Sequence, residues 1–99
     1  MAGTLSQTEA ELLERAARAA GLRLYAPGYA YLSDGSWWRP LDDLGHAMKL
    51  ALHFRDIDIN TIVAQAWNKG ASEYMRRLYV CRGIVEAVAA KAEPPARES

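Results

Sequence analysis

The sequence predicts an α+β domain in which a small antiparallel sheet is packed by helices, in the order α-β-β-(β)-α-β-(β)-α. Three patterns carry this reading. Apolar residues recur at helical spacing near both ends of the chain and again after Pro40. Apolar and polar residues alternate from Leu22 onward, and a run rich in β-branched residues extends from Ile57 to Val63. Ninety-nine residues leave room for one core, assigned to residues 1–93, with a disordered tail at 94–99.

The first helix is expected over residues 7–20. Ser6 to Glu9 reads as a capping box that satisfies free amides at a helix start. Leu12, Leu13, Ala16, Ala17 and Ala20 then make one apolar stripe, and Gly21 suits a left-handed cap. Leu22 and Leu24 alternate with Arg23 and Tyr25, and Pro27-Gly28 supplies a turn. Tyr29 to Leu32 reads as a strand, Asp34-Gly35 as a tight turn, and Trp37 to Arg39 as renewed extended chain before Pro40.

A second helix is expected over residues 42–54, opened by an aspartate cap at Asp42-Asp43, with Leu44, Ala47, Met48, Ala51 and Phe54 as its stripe. Residues 57–67 are expected to form a bent strand or hairpin, because Ile57, Ile59, Thr61 and Val63 favour extended chain. Their alternation shifts phase near Asn60 to Ile62. Asp56 and Asp58 fall on the wet side of that strand. Ser72 opens the last helix, whose apolar face carries Met75, Leu78, Cys81, Val85, Val88 and Ala92, and Pro94-Pro95 stops it. Gly83 inside it points to close packing on a neighbour, since glycine in a helix costs about 1 kcal/mol relative to alanine.

Composition excludes several classes of function. Twelve basic residues balance twelve acidic ones, so no net field draws the chain to nucleic acid or an anionic membrane. No apolar run approaches the roughly 18–20 residues of a membrane span. The early acidic residues Glu9, Glu11 and Glu14 do not fit a secretory or transit segment. One cysteine makes no internal disulfide and fits a reducing compartment.

Candidate chemistry is sparse. His46 and His53 lie about 10 Å apart along a helix axis, too far to share a metal. Asp42 with His46 offers two ligands, where a catalytic zinc usually takes three from the protein. Cys81 falls on an apolar stripe, where a buried, inert thiol is expected. Phosphate loops, nucleophile elbows and paired-cysteine motifs are missing, so an enzyme is not expected, nor is a cofactor or metal.

The aromatic and basic residues are more informative. Trp37 and Trp38 are consecutive, so in extended chain one faces the core and the other faces away. Tyr29 and Tyr31 share a face that could extend this patch, and Arg76, Arg77 and Arg82 form the densest basic region. Tryptophan, tyrosine and arginine dominate protein-binding hot spots, which makes these seven residues the candidate partner-binding set. A helix covering the aromatic layer is the competing reading for Trp37 and Trp38, and ordinary solvation of a helix face is the competing reading for the arginines.

The segment Trp38-Arg39-Pro40-Leu41-Asp42-Asp43, the helix Ala47-Met48-Lys49-Leu50-Ala51 and the later Arg82-Gly83-Ile84-Val85-Glu86-Ala87 follow a first helix ending in Ala19-Ala20-Gly21. In that order they resemble a family of short tailed-phage proteins with a helix-sheet-helix sandwich domain. The resemblance implies a phage accessory protein acting in the host cytoplasm. Its expected partner is a host protein or an intracellular defence complex, such as a CRISPR effector, which it would inhibit by binding. A nucleic-acid-binding regulator and a self-associating structural protein, including a homodimer, are the alternatives.

Overall fold

The computed structural model describes residues 7–25, 31–70 and 72–92. It contains four helices: α1 (Gln7–Ala19), α2 (Leu44–Ala51), α3 (Ile59–Lys69) and α4 (Glu73–Ala89). The described residues hold no strand, only two isolated antiparallel bridges that join Leu24 to Leu32 and Tyr31 to Trp37. The fold is therefore helical, which overturns the expected α+β class and its sheet.

α4 is the axis of the molecule: α1, α2 and α3 each pack on it. Its buried residues Val80, Cys81, Ile84, Val85, Val88 and Ala89 occupy about half of its circumference, a broad apolar face that the three other helices share. Leu13, Ala16 and Ala17 of α1 close on it, with Ala47, Leu50 and Ala51 of α2. The alanines let backbones approach closely. Full burial of Leu13, Leu50, Ile84, Val85 or Val88 stabilises by roughly 1.5–3 kcal/mol each.

The ends of α1 and α4 behave as their residues dictate. Gly21 adopts φ +77. This lets its N–H reach the Arg18 carbonyl at 3.2 Å while the Leu22 N–H reaches that of Ala17 at 2.8 Å, a Schellman closure. Ser72 Oγ accepts from the Met75 N–H at 3.2 Å and starts α4. The expected capping box at Ser6, the Pro27-Gly28 turn, the Pro94-Pro95 stop and the 94–99 tail lie outside the described residues.

The main error of the sequence reading is residues 57–67, which form most of α3 instead of a strand. Asp58 is the reason: its carboxylate accepts from the Thr61 N–H at 3.0 Å and from the Thr61 hydroxyl at 2.7 Å, capping a helix. Asp58 is thus a cap, and Asp56 pairs with Lys91 at 2.6 Å, so neither lines a strand. Ile59, Ile62, Val63 and Ala66 then share one face at helical spacing and pack into the core cluster. The helical cost of a β-branched residue, up to about 0.7 kcal/mol, is smaller than what burial returns. Gly83 allows the approach: a Cβ there would lie 2.7 Å from Ile62 Cγ2.

The second helix is shorter than the expected 42–54. Asp43 caps it, accepting from the His46 N–H at 3.1 Å. Beyond Ala51 the chain tightens, with His53 and Phe54 N–H groups bonding three residues back to Leu50 and Ala51 at 3.1 and 3.0 Å. Its inward stripe is Ala47, Leu50 and Ala51, rotated from the expected one, and leaves Met48 exposed.

Candidate partner-binding surface

Between α1 and α2 the chain folds over itself in a minimal hairpin. Residues Ser33, Asp34 and Gly35 form its tip: the Gly35 N–H reaches the Leu32 carbonyl at 2.8 Å, and the Leu32 N–H reaches that of Ser36 at 2.9 Å. Gly35 sits at φ +90, which closes a three-residue turn with a bulge. Asp34 Oδ1 accepts from the Ser36 N–H at 2.8 Å. Hydrogen bonds from the Ser36 side chain and then its backbone hold the Asp34 carboxyl below its usual range. On the other flank, Tyr25 and Ser33 N–H groups bond to the Tyr31 and Arg23 carbonyls at 2.9 and 2.7 Å.

The bridge puts Tyr31 and Trp37 on one face, and the core on the Trp38 side makes that face the outer one. Trp38 is buried at 7% exposure, whereas Trp37 is 51% exposed. Tyr31 and Trp37 meet in a T-shaped contact, with centroids 5.4 Å apart and planes at 79°. The Arg39 guanidinium lies 5.3 Å from the Trp37 ring centre and pairs with Asp42. Trp37 is thus held between two neighbours on a stem rooted by Trp38 and buried Pro40.

A second hold comes from α2. The Arg39 N–H donates to His46 Nδ1 at 2.8 Å, which fixes the hairpin exit against the helix. Between hairpin and helix runs a groove of about 260 Å³. Leu22, Leu32, Trp38 and Leu50 supply its apolar side chains. Ser36, Trp37, His46, Lys49 and His53 complete its lining.

The three arginines do not converge on Trp37. Arg76 donates from Nε to the Gly70 carbonyl at 3.3 Å and lies 4.5 Å over the Trp67 ring. Arg77 pairs with Glu73 at 3.6 Å. Arg82 pairs with Glu86 at 3.0 Å and Glu9 at 3.9 Å, tying α4 to α1. Tyr29 lies outside the described residues. The candidate set therefore divides: Tyr31 and Trp37 form one face with Arg39, while Arg76 belongs to another with Trp67.

Sequence reasoning missed Trp67, which is 59% exposed on α3, and Arg39, which clasps Trp37. The first was hidden by the strand assignment. The second was visible as an arginine two residues after a surface tryptophan, the spacing that puts both on one side of extended chain.

Elsewhere the chemistry is muted. Cys81 is buried, and desolvation, followed by the nearby charges of Asp42 and Asp43, pushes its thiol up to about 11. No cluster of three or more His, Cys, Asp or Glu side chains among the described residues could hold a metal ion. No described helix is long and apolar enough to cross a membrane. Comparison of the chain with protein families, with curated proteins and with solved structures finds no match.

Proposed function

We propose that this chain acts by binding another protein, with Trp37 as the anchor and Tyr31 and Arg39 as its flanks. The observation that carries this reading is the 51% exposure of an indole that is nevertheless held on two sides. A large aromatic surface kept in water in a fixed pose is prepaid in conformational entropy, so it can be buried by a partner at little ordering cost. On the resemblance to short tailed-phage proteins, the partner is a host protein or defence complex, and binding inhibits it in the host cytoplasm. The test is affinity capture from bacterial lysate with the parent chain and Trp37→Ala side by side. A protein retained by the parent and lost by the variant is expected; equal retention by a folded Trp37→Ala overturns the reading.

A second reading, nucleic-acid binding, draws on Trp67 under Arg76 beside Lys69, an exposed aromatic with cations such as single strands stack on. It requires affinity for an oligonucleotide that falls steeply with salt and is lost in Trp67→Ala.

A further inference from the structure

We propose that the groove between the hairpin and α2 receives an acidic segment of the partner protein, a carboxylate seated at His46, Lys49 and His53 with an adjoining apolar side chain on Trp37 and Leu32. This rests on the protein-binding reading of the Trp37 face and names the chemistry of what that face recognises.

Charge complementarity selects the occupant. The groove's lining includes no carboxylate, although the chain as a whole is neutral. Four other surface grooves each include at least one: Glu14, then Glu9 with Asp42, then Glu86, then Asp42 with Asp43. Lys49 follows His46 by three residues and precedes His53 by four, so the helical repeat and the turn after it bring all three to the same side. Lys49 makes no ion pair among the described residues.

The tautomer of His46 is fixed by its partner. Because the Arg39 N–H donates to Nδ1 at 2.8 Å, the neutral ring carries its hydrogen on Nε2. His46 therefore offers a donor, and together with the Lys49 ammonium it favours a guest that brings an acceptor to that end of the groove. The apolar part of the lining and the adjacent Trp37 ask in addition for an apolar neighbour in the guest. An acidic peptide with interspersed apolar side chains meets both demands.

The test uses the full chain, labelled with nitrogen-15, and two blocked peptides: acetyl-Glu-Phe-Asp-Leu-Glu-amide and its neutral counterpart acetyl-Gln-Phe-Asn-Leu-Gln-amide. The acidic peptide is expected to shift the Trp37 indole and His46 signals and to bind about three- to fivefold more tightly than the neutral one. That preference is expected to shrink with added salt and in Lys49→Met and His53→Gln, both at exposed positions, with the unshifted amide signals of each variant checking that its fold is kept. Equal affinity for both peptides, shifts centred on Trp67 and Arg76, or no binding at millimolar peptide overturns the proposal. Trp37-dependent protein capture without the acidic preference defeats this inference alone. The acidic preference without Trp37-dependent capture defeats the functional reading alone.

Discussion

Replacing Gly83 with alanine sets two effects of known sign against each other. The new methyl would lie 2.7 Å from Ile62 Cγ2, with Ile62 Cβ and Cγ1 both at 3.6 Å. Non-bonded carbons rest at about 3.5–4.0 Å, so the overlap is about 1 Å. Ile62 sits inside α3, where a β-branched side chain has one strongly preferred rotamer, so it cannot swing aside and the helix must shift. Overpacking of this kind costs about 1–3 kcal/mol. Alanine returns about 0.8–1 kcal/mol of helix propensity over glycine. The net expectation is a loss of about 1 kcal/mol, which lowers the melting temperature by about 4–8 °C in a domain of this size.

Removing the obstacle should reverse the sign. In an Ile62→Ala background the overlap with Cγ2 is gone, and Gly83→Ala is expected to stabilise by about 1 kcal/mol. Urea unfolding of the four proteins, followed by far-ultraviolet circular dichroism, reads both values. A stabilising Gly83→Ala in the parent, or the same effect in both backgrounds, would refute the seating of α3 on α4.

Three further outcomes are expected. Trp38→Ala should cost about 3–5 kcal/mol or prevent folding, whereas Trp37→Ala should cost about 1 kcal/mol, and denaturant midpoints that reverse this order would exchange the two indoles between core and solvent. Native Cys81 should resist a thiol reagent at mildly alkaline pH until urea unfolds the chain, and immediate labelling would contradict its burial. Asp56 and Asp58 are held below the ordinary aspartate value of 3.8, by the Lys91 hydrogen bond and by the Thr61 hydroxyl and N–H respectively. A lowered folded value means their stabilisation is present above the unfolded value and lost as pH falls through the folded one. Asp56→Asn and Asp58→Asn should therefore flatten the fall of the unfolding midpoint in acid, and an unchanged slope would show that these contacts contribute nothing.

What the sequence made legible were the features fixed by local chemistry. The left-handed Gly21, the Asp34-Gly35 turn, the Ser72 cap and the close approach at Gly83 each depend on a few adjacent residues or on one missing side chain, and each stands in the structure. α3 was less legible, because Ile57, Ile59, Thr61 and Val63 all favour extended chain. The phase break near Asn60 to Ile62 was the trace of a helical period: 59, 62, 63 and 66 form one stripe behind an aspartate three residues before a threonine. The rotation of the α2 face was not legible, since it depends on where α4 lies. At the surface, the opposed directions of Trp37 and Trp38 followed from extended chain, but which faced out required the core on the Trp38 side. The dispersal of the arginines required knowing which carboxylates stand nearby, and Glu9 reaches Arg82 only through the packing of α1 on α4.

The anchor role of Trp37 is tested most directly by calorimetric titration of the purified captured partner into the parent chain and into Trp37→Ala. The expected result is a loss of at least about 2 kcal/mol, roughly a 30-fold weaker Kd, with helical content unchanged. A Kd within about twofold of the parent's, in a variant that remains folded, would contradict it.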